Sequence, residues 1–371
     1  MDFAFTEDQA GIRTAIRQIL TDLVTDDSLK ALEREGRHFH EKVWRALAEA
    51  EMLGLALPEE VGGTGLGLIE LCFLLQEVGR TVAPIPALTT LVSASLPIAQ
   101  FGTDEQKQRL LAGVVRGETI LTLGHSEYGS RDALEPATTA TADGEGFRVT
   151  GTFTNVEYAA ESARILVPAR IGEDLVVLLV DPQAAGVTLA AQRGTNQLPL
   201  WEVSLGDVLV PAADVLAGPA RGREVWKFAI DRTRLGMCAI EHGIAERAVE
   251  MTAGYASERK QFGVPIGVFQ AVTQRIADAF IDAQAIEVSL WQAAWRLAEG
   301  LDADQELAIA KFFAADAGAR VVAAAQHIHG GMGFDRDYPL HRYFLTSKHM
   351  EMTLGAAPAQ LDSLGALLAR G

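Results

Sequence analysis

Residues 255–280, YASERKQFGVPIGVFQAVTQRIADAF, decide how the rest of the chain is read. A helical pattern breaks at Gly263-Val264-Pro265 and restarts as a second amphipathic helix, which predicts helix, tight turn, helix. Arg259, Lys260, Gln261 and Phe262 form a cationic and aromatic cluster before the break, and Phe269 and Gln270 follow it. Such a cluster suits a flat, anionic ligand: a guanidinium offers a rigid fork of donors to phosphate, a ring covers a base, and an amide reads an edge. The residues alone leave a second reading open, a surface arginine beside an ordinary helix hairpin.

Working outward, helical periodicity runs from Arg221 to Leu368, with Ala-rich helices expected over 270–299 and 304–327, the pattern of a four-helix bundle. Upstream, short alternating or β-branched runs (FRVTGTFTNV, ARILVPARI, EDLVVLLV, GVTLAAQ, EVSLGDVLV) are separated by DGEG, IGED and DPQAAG turns. Five such runs without intervening helices predict a sandwich or barrel. Before Ile120 the pattern is helical again, with Thr6 and Thr103 as expected caps. The Gly-rich run 62–67 lacks the lysine of a nucleotide loop and no β-branched strand precedes it, so it reads as a turn before a helix. The fold class is α+β: an N-terminal helical domain (1–119), a central antiparallel β domain (120–218) and a C-terminal four-helix bundle (219–371).

Composition narrows the function. The chain has 371 residues, 49% apolar and 22% charged, as globular proteins do. A net charge of −17 argues against a nucleic-acid surface, so any anionic ligand must meet locally gathered cations. Cys72 and Cys238 sit in apolar helical contexts, which predicts buried thiols in a reducing compartment. The first residues have neither the basic segment nor the apolar core of a signal peptide, and no apolar run is long enough for a membrane span, so a cytoplasmic location is expected.

The order of blocks and five motifs resemble the acyl-CoA dehydrogenase family over the whole chain. ERKQFGVPIGVFQAVTQRIAD (258–278) resembles one family signature, and HIHGGMGFDRDYPLHRYF (327–344) resembles the second. LPEEVGGTGLG (57–67), GDVLVPAADVLAG (206–218) and FTEDQ (5–9) fit in the same order. The resemblance implies FAD and removal of hydrogen from the α and β carbons of an acyl-CoA: a carboxylate takes the α proton and the flavin takes the β hydride. It assigns Arg259, Gln261, Phe262, Phe269 and Gln270 to the adenosine-diphosphate half of an FAD across a subunit interface, with Gly330 and Gly331 letting backbone approach the same group. The family's glutamine before that Gly pair falls at His327, with Gln326 beside it. Asp231 and Arg234 match positions that contact CoA, although a helix-surface ion pair is an equal reading.

The chemistry-bearing positions depart from the family. Aligning Lys348 and Gly355 puts Leu354 where the catalytic glutamate belongs, and the alternative base position on the helix entering the bundle holds Thr233. The loop that contacts the flavin ring reads SEYGSRD (126–132), and the Trp-Ile-Thr against the ring reads Asn155-Val156-Glu157. This pattern resembles the base-less subunit of actinobacterial α2β2 heteromeric acyl-CoA dehydrogenases, many of which act on steroid side-chain CoA thioesters. It implies a homologous catalytic subunit as partner and electron-transfer flavoprotein or a similar acceptor. Two other readings stand beside it: a homomeric dehydrogenase with its base relocated to Glu241, Glu351 or Glu157, and a non-enzymatic binding protein on the same fold.

Overall fold

A computed structural model of the chain describes residues 5–130 and 132–369. The chain divides into two compact units, one gathering the chain up to Ala31, Leu68–Ala83 and everything from Arg234 on, the other Leu32–Gly67 and Pro84–Thr233.

Helices α1 (Glu7–Leu23), α2 (Asp26–Arg34) and α3 (Glu41–Glu49) open the chain, followed by α4 (Leu68–Thr81). Thr6 caps α1 as its pattern predicts: its hydroxyl accepts from Gln9 N while the Gln9 side chain accepts from Thr6 N. The glycine run before α4 is a turn. Gly62 and Gly65 take φ of 87° and 65°, and a Cβ on Gly63 would lie 2.1 Å from the Leu57 carbonyl oxygen. A π-helical stretch, Ala87–Ala94, leads into α5 (Ser95–Phe101) and α6 (Asp104–Val115), the latter capped by a Thr103/Gln106 box.

Strands β1 (Leu121–Leu123), β2 (Thr139–Asp143), β3 (Gly146–Glu157), β4 (Arg164–Ile171), β5 (Asp174–Val180), β6 (Val187–Arg193), β7 (Pro199–Val210) and β8 (Val215–Ala217) form one hydrogen-bonded path, β6-β7-β3-β2-β4-β5-β8, with β1 beside β4. Most pairs are antiparallel, but β1–β4 and β2–β4 are parallel, and β2 meets β4 at one register pair, Thr139 with Arg170. Val149, Phe153, Val167, Val176, Leu178, Val203 and Leu205, from both sides of that seam, share one core. On both halves alternate residues face this core, and the other strand faces lie outside it.

Helix α7 (Gly222–Glu258) is followed by a two-stranded hairpin, β9 (Lys260–Gln261) with β10 (Val264–Pro265), then α8 (Gln270–Ala298), α9 (Asp304–His329), α10 (Leu340–Met352) and α11 (Ala357–Leu368). The two units divide within α7, between Thr233 and Arg234. Helix α9 packs against α8, α10 and α11. Its buried face is mostly small, with Ala310, Ala314, Ala317, Val321 and Val322, which lets neighbouring backbones approach closely.

Candidate functional site

The 255–280 stretch folds as helix, hairpin and helix. Between Gln261 and Val264 the two turn residues Phe262 and Gly263 take φ of 52° and 82°, the pair of positive angles of a tight type I′ hairpin. Glycine adopts that geometry freely, whereas phenylalanine does so at a cost on the order of 1 kcal/mol. Phe262 is 94% exposed, and its ring meets Phe269 edge to face at 6.2 Å. Arg259, Gln261 and Gln270 are exposed beside it.

A second element reaches the same end of the unit. Helix α9 stops at Gly330, whose φ of 59° with ψ of −131° is glycine's territory, and a Cβ at Gly330 or Gly331 would meet nothing within 4 Å. The joint is made by His329, which stacks on Tyr255 with ring centroids 4.3 Å apart. Its Nδ1 lies 2.8 Å from the Ala325 carbonyl oxygen and its Nε2 lies 3.0 Å from the Tyr338 hydroxyl. The carbonyl can only accept, so Nδ1 carries the proton and Nε2 accepts from Tyr338. Burial holds this imidazole below its usual pKa, which keeps it neutral. Arg259 N in turn donates to Tyr255 O at 2.8 Å. The stack therefore brings the arginine hairpin and the Gly-Gly turn together. Gln326 is buried, its amide donating to Gly333 O at 3.3 Å, while His327 is exposed. The sequence does not show the His329 joint, because Tyr255 and His329 lie on different helices far apart in the chain.

Leu354 and Thr233, where the resemblance expects a base, are both engaged in local structure. Leu354 sits in a turn at φ 55° beside Gly355 at 92°, and the Gln360 amide donates to both their carbonyls at 3.1 and 3.0 Å. Thr233 is buried, its hydroxyl donating to Ala229 O at 2.7 Å and lying 2.9 Å from Ser93 Oγ. Asp231 and Arg234 lie about one turn apart on α7, and Asp231 accepts from Lys227 Nζ at 2.5 Å. Of the other carboxylates considered as bases, Glu351 is ion-paired with Lys348 at 2.5 Å and Glu241 is fully buried. Glu157 closes β3, and its backbone carbonyl accepts from the Thr122 hydroxyl at 2.6 Å.

In the loop 126–132, Arg131 lies outside the described residues, and others are tied to neighbouring segments. Glu127 is buried, and its carboxylate accepts from Ala137 N at 2.5 Å, from Thr138 N at 2.8 Å and from the Thr138 hydroxyl. Asn155 is exposed at φ 56°, its N–H donating to the Gln192 amide oxygen at 2.8 Å. Among the described residues no group of His, Cys, Asp and Glu fits a metal ion, and no helix is long and apolar enough to cross a membrane.

Comparison with known proteins matches two domain descriptions: "Acyl-CoA dehydrogenase, N-terminal domain" over residues 6–118, and "Acyl-CoA dehydrogenase, C-terminal domain" over residues 220–368. The chain is 36% identical to acyl-CoA dehydrogenase FadE27 of Mycobacterium tuberculosis, covering 100% of this chain and 99% of the relative. It is 35% identical to FadE28 of the same organism, over 95% and 97%. Among solved structures it is similar to the ChsE4-ChsE5 complex from Mycobacterium tuberculosis, with TM-score 0.95, 36% identity and complete coverage of both chains. It is similar also to a Tcur3481-Tcur3483 steroid ACAD variant, with TM-score 0.92, 41% identity and 98% of each chain covered.

Proposed function

The chain belongs to the acyl-CoA dehydrogenase family of oxidoreductases, and from that premise we propose that it is the base-less subunit of a heteromeric dehydrogenase, completing the FAD site of a catalytic partner. The observation that carries the proposal is an asymmetry. Donors for a diphosphate are present and exposed at Arg259 and Gln261, while Leu354 and Thr233 hold the base positions and have no proton-accepting role to offer.

The residues present fit one half of FAD. Arg259 and Gln261 would hold the diphosphate, Phe262, Phe269 and Gln270 would flank it, and Gly330 and Gly331, open where a Cβ would stand, would give it room, with Gln326 and His327 alongside. When bound, FAD supplies the acceptor for the hydride leaving the acyl β carbon. The Glu127 carboxylate, already committed to Ala137 and Thr138, and the carboxylate at Glu157 fit the flavin ring poorly, which supports a ring held by the partner. Asp231 and Arg234 are proposed CoA contacts. The domains of this reading are 1–119, 120–218 and 219–371.

The partner is a homologous catalytic subunit in an α2β2 heterotetramer, supported by the ChsE4-ChsE5 and Tcur3481-Tcur3483 similarities. The second of these is a steroid ACAD variant by name, which supports a steroid side-chain CoA thioester as substrate. Electrons then pass to electron-transfer flavoprotein or a similar acceptor, in the cytoplasm. The test is to express the chain alone and with its genomic neighbour, then measure flavin absorbance and complex mass. One flavin per pair, and a colourless lone chain, is the expected result; one flavin per chain sinks the proposal.

A further inference from the structure

Glu241, on α7, is fully buried in the helical unit, and α9 and α10 are shaped around it. On α9, residue 318 is glycine; a Cβ there would stand 2.2 Å from Glu241 Oε1. From α10, the Ser347 hydroxyl donates to the same Oε1 at 2.7 Å. Among the described residues, Oε2 has no hydrogen-bond partner. An ionised carboxylate left in that state would be costly to bury, whereas a protonated one carries no charge to desolvate.

The cation that would neutralise it is committed elsewhere. Lys311, on α9 and also fully buried, donates from Nζ to Met350 O at 2.7 Å and to Glu351 O at 3.3 Å. Those are carbonyls of the last turn of α10, where the helix dipole is negative and unpaired acceptors gather. The same turn runs into Thr353, Leu354 and Gly355, with Leu354 and Gly355 both at positive φ.

We propose that Glu241 is a neutral carboxylic acid in the folded chain and acts as a proton-held latch: losing its proton draws Lys311 away from the Met350 and Glu351 carbonyls and loosens the turn at Leu354. Burial pushes the Glu241 carboxyl up to about 8, against smaller opposing effects of Ser347, Lys311 and Lys348. Glu351 on α10 adds a like charge that favours the neutral form. Cys238, on α7, is itself held neutral by burial, which pushes its thiol up to about 12, and Arg234 on the same helix acts on Lys311 in the direction that favours losing its proton.

The sign follows from linkage. The unfolded chain releases this proton near the ordinary value of 4.5 and the folded chain near 8, so the folded state binds more protons in between. Stability from this group is fully present at low pH and is lost as pH rises through about 8.

The test is infrared titration of the full chain together with hydrogen exchange over residues 350–360. The expected result is a protonated-carboxyl band that disappears on titration through mild alkali and is absent in Glu241→Gln. Exchange in 350–360 should rise with pH beyond the chemical rate in the wild type, but not in Glu241→Gln. From about pH 5 to pH 8 the wild-type melting temperature should fall on the order of 5 °C more than that of Glu241→Gln, and the two should run parallel above that range. Ser347→Ala, which removes a bond favouring the anion, should move the band's midpoint upward. No protonated band at neutral pH overturns the proposal, as does a band with identical exchange in the two proteins. The wild-type titration alone decides the first point should Glu241→Gln fail to fold.

Discussion

Thr233 shows how one hydroxyl is withdrawn from chemistry: donating to Ala229 O and touching Ser93 Oγ, it has no free role in proton transfer. Placing a carboxylate there, Thr233→Glu, should destabilise the chain by about 2–4 kcal/mol, because the charge is buried where only a hydroxyl is satisfied. Thermal melting of the variant checks this. Arg259 is the opposite case, exposed and poised. Arg259→Glu should lower FAD retention by the complex about 10- to 100-fold, the loss of charge-assisted bonds, while leaving the melting temperature of the lone chain unchanged. Flavin absorbance after desalting measures it, and unchanged retention would count against the assignment. Both positions stand out in the sequence by residue type and spacing, and the structure places Thr233 inside and Arg259 at the surface. Glu127 does not stand out, since its three bonds come from residues 137 and 138, which only the sheet brings near.

At the scale of elements, α4 and α7 meet backbone to backbone. A Cβ on Gly79 would lie 2.0 Å from Ile240 O, and one on Gly243 would lie 1.9 Å from Gln76 O. The pairing is reciprocal, with 76 and 79 on one helix facing 240 and 243 on the other. Alanine raises helix propensity by about 1 kcal/mol over glycine, so a reading from propensity alone expects Gly243→Ala to stabilise. The close approach should reverse the sign, with a net loss of about 2–4 kcal/mol seen in chemical denaturation. Helices, caps and strands were readable because periodicity and capping are local. The Thr6 and Thr103 boxes formed as their spacing predicts. Which glycines are contact points, and the parallel seam at Thr139 and Arg170, depend on residues far apart in the chain and leave no local trace.

At the scale of the whole molecule, the hairpin at Arg259 and the turn at Gly330 are surface features with internal order. Binding of the catalytic partner should slow hydrogen exchange in 259–264 and 330–334 while leaving the β core unchanged, and equal exchange in free and bound chains would remove this face from the interface. Exposed apolar side chains gather in the same segments, Phe262 at 94% and Phe334 at 73%. A ring held at an unfavourable backbone angle and left in water is a poor arrangement for a subunit living alone. On the proposed reading, molecules made in excess of their partner should self-associate or fall to proteolysis sooner than those in the complex.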